Sequence, residues 1–142
     1  MSLFAALQVS ASGMQAERTR AEALVENMAN AETTRTPQGG PYRRKDVIFS
    51  SELQESPFSA VFQNELATGV TVSEITEDSS PPEMRFLPNH PDANGEGYVA
   101  FPKMNPVEDM ADLLNTTRSY QANIAAMTAV KDMITNSIAL LK

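Results

Sequence analysis

Apolar residues recur with helical spacing at both ends of the chain and with strand-like alternation between them. Toward the C-terminus, Met110, Leu113, Thr117, Tyr120, Ile124, Met127, Lys131, Ile134, Ile138 and Leu141 follow one another at alternating steps of three and four. Only Thr117 and Lys131 are not apolar or aromatic. A heptad seam of this length, with no proline or glycine inside it, predicts a helix over residues 106–141. Its start is marked by Asn105-Pro106-Val107-Glu108. Asparagine supplies an N-cap oxygen, proline fits the first helical position, and Glu108 stands where a capping box closes. Asp109 and Asp112 add negative charge near the positive end of the helix dipole.

The N-terminal end carries the same spacing at Leu3, Leu7, Ser10, Met14, Glu17, Ala21, Leu24 and Met28, with Ser10 and Glu17 as its flaws. Alanines at 5, 6, 11, 16, 21, 23, 29 and 31 favour helix and leave room for close approach, while Gly13 weakens the helix locally. Asn30, ahead of Thr33, Thr34 and Pro37, is a stop signal, so the expected helix covers 3–30. Between the helices, Tyr42–Phe49, Val70–Ile75, Met84–Leu87 and Tyr98–Phe101 read as short strands separated by turns. Alternation along Val70-Thr71-Val72-Ser73 changes phase at Glu74-Ile75, as a bulge or twist would make it. Residues 50–66 fit loop, strand or short helix.

Composition sharpens this division. All nine prolines lie between Pro37 and Pro106, five of the six glycines between Gly39 and Gly97, and seven of the nine aromatics between Tyr42 and Phe101. The formal charge is −7 over 142 residues, but residues 37–102 hold 10 acidic and 4 basic groups, whereas the two ends are nearly neutral. The fold class expected is α+β: terminal helices pairing as an antiparallel coiled-coil-like hairpin around a β-rich middle. The boundaries expected are 1–36, 37–102 and 103–142.

Helices of 28 and 36 residues rise about 42 and 54 Å. A compact chain of this length has a radius of gyration of only about 14 Å. A middle of short strands cannot cover both helices, and a two-helix hairpin buries one stripe of each. Uncovered apolar stripes mark interaction surfaces, so the expected role is structural. The seam methionines Met14, Met28, Met110 and Met127 fill irregular gaps, and the same flexibility lets one seam face several non-identical neighbours.

Other chemistries find little support. Cysteine is absent, which excludes disulfides, thiolate metal sites and a cysteine nucleophile. The acidic balance disfavours nucleic acid, and Arg43-Arg44-Lys45 lacks flanking aromatics for base stacking. No apolar run is long enough to cross a bilayer. The first basic residue is Arg18, so Leu3–Leu7 has no charged segment before it as a cleaved secretory signal would. His90, between Asn89 and Pro91, reads as a turn residue. The acids Glu74, Glu77, Asp78 and Glu83 lack calcium-loop spacing and read as a solvated face. No catalytic residue, cofactor or metal is expected.

Several segments resemble one known family. Ser12-Gly13-Met14-Gln15-Ala16-Glu17-Arg18 and Glu26-Asn27-Met28-Ala29-Asn30-Ala31-Glu32-Thr33 are similar to the amino-terminal signature of bacterial flagellar rod and hook axial proteins. Thr36–Lys45 and His90–Val99 resemble the proximal rod members. Asn105–Met110 and Arg118-Ser119-Tyr120-Gln121-Ala122-Asn123 resemble that family's carboxy-terminal helix. Pro102-Lys103-Met104-Asn105 departs from the usual Pro-Asn-Val-Asn.

The resemblance implies an axial component of the basal body. Its terminal helices would pack with those of other rod proteins and of further copies of the chain into a hollow rod in the periplasmic space. Delivery would be through the flagellar type III export apparatus, without a cleaved signal. The apolar seam residues, with Asn27, Asn30, Arg118 and Asn123, form the expected subunit interface. For Asn27 and Asn30 two readings stand: a helix cap and a solvated amide, or amides bonding a neighbour's backbone or the C-terminal helix. For Arg118, Gln121 and Asn123 the alternative is a solvated helix face. The competing function is a soluble, self-associating coiled-coil adaptor.

Overall fold

In the computed structural model, described for residues 3–52 and 69–140, two long helices enclose two small antiparallel ribbons in the chain order. Helix α1 spans Leu3–Ala29, strands β1 (Lys45–Glu52), β2 (Gly69–Glu77), β3 (Glu83–Phe86) and β4 (Tyr98–Phe101) follow, and helix α2 spans Pro106–Ala139. The α+β class with paired terminal helices is the one expected. Most of the 50–66 stretch lies outside the described residues, but Ser50–Glu52 complete β1.

Local chemistry accounts for the helix ends. The Asn105 side chain accepts a hydrogen bond from Val107 N–H at 3.1 Å, and Pro106 begins the helix. Glu108 stays exposed beside this cap. At the end of α1, Asn30 donates from Nδ2 to the Glu26 carbonyl, and its Oδ1 accepts from the Thr33 hydroxyl. The amide thus turns the chain out of the helix.

The helices run antiparallel. A Cβ built on Gly13 would stand 3.2 Å from Asn123 Nδ2, so the middles of α1 and α2 approach closely where glycine leaves room. The end of α1 lies beside the start of α2, where Tyr42, bonded to Asn27, feels the charge of Asp109.

The two ribbons are β1–β2 and β3–β4. In the first, Ile48 pairs with Glu74 and Phe49 with Val72, so Ser73 is the extra residue of a bulge. That bulge sits at the phase change read from the sequence. In the second, Phe86 and Tyr98 pair across the strands with ring centroids 5.3 Å apart. Gly97, at φ +80°, closes this hairpin because any Cβ would fall 2.9 Å from the Phe86 ring. Asn94 Oδ1 accepts the backbone N–H groups of Glu96 and Tyr98, shaping the turn. Asp92 ties the turn to the chain leaving α1, accepting from the Thr34 hydroxyl at 2.7 Å. His90 is a turn residue whose Nδ1 accepts the Asp92 N–H.

The core is small. Among the described residues the buried hydrophobic side chains are Ala16, Ala23 and Leu24 of α1, Val99 and Phe101 of β4, and Val130 of α2. Three of these six come from α1, which packs against α2, β1 and β2 together. Two of the three are alanines, which bring the backbones close but bury little area each. Much of the large apolar surface is left on the outside.

Candidate assembly surface and the base of the helical hairpin

Helix α1 has two covered faces. One follows the expected seam: Leu7, Ser10, Met14, Glu17, Ala21, Leu24 and Met28 are all buried or half-buried, and only Leu3 is exposed. The other meets the β1–β2 ribbon. There the Ser12 hydroxyl accepts the Val70 N–H at 3.0 Å, and the Arg20 guanidinium lies 5.9 Å from the centre of the Phe49 ring. The sequence reading found the first face and missed the second, which is made of Ser, Ala and Thr positions with no hydrophobic signal.

Helix α2 differs more from the heptad reading. Its covered positions are Asp109, Asp112, Leu113, Thr116, Asn123, Met127, Val130 and Ile134. Leu113, Met127 and Ile134 are members of the expected seam. At the alternate positions the covered residue is one earlier: Asp109 in place of Met110, Thr116 of Thr117, Asn123 of Ile124, and Val130 of Lys131. Met110 is 60% exposed, Ile124 44%, Ile138 56% and Tyr120 37%. Leu114, outside the expected seam, is 62% exposed. Leu141 lies outside the described residues.

The shift has a steric logic. Small and polar side chains let α2 approach the alanine- and glycine-rich α1, and the larger Met110 and Ile124 turn outward. Polar atoms are left behind: Glu17 Oε2 and Thr116 Oγ1 are buried without a hydrogen-bond partner.

Among the polar residues of the expected interface, Asn27 is fully buried inside the chain. Its Nδ2 donates to the Lys45 carbonyl at 2.9 Å, while its Oδ1 accepts the Lys45 N–H at 2.9 Å and the Tyr42 hydroxyl at 3.0 Å. The amide faces the root of β1, neither solvent nor α2, so neither earlier reading describes it. Asn30 bonds within its own turn, and Asn123 donates to the Ser119 carbonyl and packs over Gly13. Arg118 is exposed.

Around Asn27 a polar cluster joins α1, β1 and α2. Asp109 is 1% exposed and accepts from Arg44 Nη2 at 3.1 Å. Arg44 also lies 3.6 Å from Asp46, and Lys45 Nζ bonds Glu26. Burial, helped by the charges of Glu26, Glu77 and Asp109, pushes the Tyr42 hydroxyl up to about 12. Asp109 is therefore not the solvated first-turn charge that its sequence position suggested. No sequence signal marked Arg44 as its partner, because 65 positions separate the two. Among the described residues no cluster of acidic or histidine side chains could hold a metal ion, and no helix is long and apolar enough to cross a membrane.

A long helical hairpin with a minimal core and large apolar side chains on its outer face is the architecture of a subunit built to assemble. Comparisons with known proteins agree. Residues 96–140 match the family model described as the C-terminal part of flagellar basal-body rod FlgEFG proteins. The chain is 40% identical to a flagellar basal-body rod protein FlgC of Bacillus subtilis, the match covering all of both chains. It is 35% identical to FlgC of Borreliella burgdorferi, over all of this chain and 99% of the relative. It is 31% identical to FlgC of Salmonella typhimurium, over 99% and 98%. The chain belongs to the FlgC family of flagellar basal-body rod proteins.

Proposed function

We propose that this subunit builds the wall of a hollow axial tube within the basal body, using α1 and α2 to contact other rod proteins and further copies of itself. Residues 1–36 and 103–142 form the assembling part, and residues 37–102 form the middle part, seated on the helices through its β1–β2 ribbon. The observation that carries this reading is the outward stripe of Met110, Leu114 and Ile124 on a helix about 50 Å long. Covering that stripe with the same stripe types of neighbours removes apolar area from water without bringing the acidic middles into register.

In this reading the tube spans the periplasmic space, transmits torque and carries exported subunits. The chain itself arrives through the flagellar type III export apparatus, and its role is structural, not catalytic. Nucleic acid and membrane insertion have no part in it. The test mixes the purified chain with adjacent rod proteins and follows sedimentation and helical circular dichroism. Co-sedimentation of the chain with them into large species, with its helical signal retained, is expected. A stable closed dimer of the chain alone at micromolar concentration, indifferent to rod proteins, would establish the coiled-coil adaptor instead.

A further inference from the structure

The β1–β2 ribbon is seated on the base of the helical hairpin through Arg44 and Asp109, a pair with an incomplete hydrogen-bond set. Asp109 Oδ1 accepts from Arg44 Nη2 at 3.1 Å, but its other oxygen, Oδ2, is buried without a partner. Arg44 Nε is buried without one as well. The carbonyl of Arg44 accepts the Asp78 N–H at 2.8 Å, so the arginine backbone is part of the ribbon while its side chain reaches α2.

The charged and titratable groups around the pair come from every element packed there. Helix α1 brings Glu26, the segment before β1 brings Tyr42, and β1 brings Lys45 and Asp46. Glu77 and Asp78 stand at and beyond the end of β2, the segment before α2 brings Lys103, and α2 adds Asp112.

A carboxylate taken fully out of water is costly unless both oxygens are bonded. Here one is not. A proton on Oδ2 removes the buried charge and leaves Oδ1 free to accept from Arg44. We propose that Asp109 is a proton-binding pivot between the helical hairpin and the β1–β2 ribbon. Carrying a proton on Oδ2 it holds the ribbon seated, and ionised it draws water to Oδ2 and loosens the seat.

The electrostatics run in the same direction. Burial raises the Asp109 carboxyl above its ordinary value, Arg44 pulls against that rise, and Asp112 and Asp46 add to it. A folded value above the unfolded one means that the Asp109 contribution to stability is complete below the ordinary aspartate value. It is lost as pH rises through the raised value. Asp78 has the opposite sign: hydrogen bonds from Ser80 lower its carboxyl, so its contribution is lost as pH falls. The Asp109 contribution to the seat is therefore fullest below the ordinary aspartate value and weakens as Asp109 ionises.

The test is a carboxyl carbon NMR titration of Asp109 in the full chain, read together with the backbone amides of Lys45 and Asp78. The Asp109 midpoint in the folded chain is expected at higher pH than in the same chain unfolded in urea, with both amides moving at that midpoint. Arg44→Met should move the midpoint higher still, since it removes the cation that opposes the rise. Asp109→Asn should abolish the amide step. A midpoint at or below the unfolded value, amides that do not follow it, or a step that survives in D109N would overturn the proposal. If D109N fails to fold, the wild-type and R44M titrations decide.

Discussion

Asn27 holds Lys45 as a neighbouring strand would, donating to its carbonyl and accepting its N–H, each at 2.9 Å. A helix side chain thus supplies both halves of a ladder pair to the first residue of β1. With the Tyr42 hydroxyl on its Oδ1 as well, the amide joins the end of α1 to the start of the ribbon. It is fully buried, so none of these bonds can be replaced by water without opening the fold.

Asn27→Ala is therefore expected to lower the stability of the isolated chain by about 2–4 kcal/mol, leaving a buried N–H and carbonyl unpaired. Urea unfolding measures it. Tyr42→Phe should cost about 1 kcal/mol, for one hydrogen bond.

The Tyr42 hydroxyl also has a spectroscopic signature. Its value of about 12 lies above the usual 10.0, so the neutral phenol is favoured in the fold. Its contribution to stability is full below 10.0 and lost as pH rises toward 12. The phenolate absorbance of the folded chain should show a component developing near pH 12, and Y42F should lack it.

Leu24 and Met110 separate fold from assembly. Leu24 is 5% exposed, so Leu24→Ala should destabilise the isolated chain by about 2–4 kcal/mol. Met110 lies largely in solvent, and Met110→Ala should change that stability by less than about 0.5 kcal/mol. Co-sedimentation with rod proteins should weaken for M110A although the monomer is intact.

Ile124→Asp is a stronger version of the same test. In the free chain the side chain is half in water, so the fold and solubility should survive. In an assembled helix layer the carboxylate would be buried and unpaired, at a cost of several kcal/mol per subunit. Cells carrying I124D should not swim, while the purified variant keeps the wild-type circular dichroism.

Gly13 tests how closely the helices approach. Alanine gains about 0.8–1 kcal/mol over glycine in a helix interior, but its Cβ would crowd Asn123 at 3.2–3.4 Å. The two effects offset in Gly13→Ala, which should leave stability nearly unchanged. With Asn123→Ala in the background, the same substitution should realise the full helical gain. A double-mutant cycle in urea measures the coupling.

Helix existence, cap and ribbon bulge were all legible in the sequence because each depends on neighbours a few positions apart. Asn105 needs only Val107, Asn30 needs only Glu26 and Thr33, and the Ser73 bulge shows as a broken alternation. The α1 seam was legible too, since its hydrophobic repeat coincides with a covered face. The α2 seam was legible only at Leu113, Met127 and Ile134.

Hydrophobic spacing says which residues share a stripe, and by itself it determined that this chain has two long helices with more apolar edge than one molecule can cover. Which edge faces inward was decided by the tertiary structure. Gly13 and the alanines of α1 admit small or polar partners, and Arg44 reaches from the ribbon to bury Asp109. The second face of α1 and the Asn27–Lys45 clamp were settled there as well, because Ser, Ala and Asn carry no pattern until the fold brings a distant backbone against them.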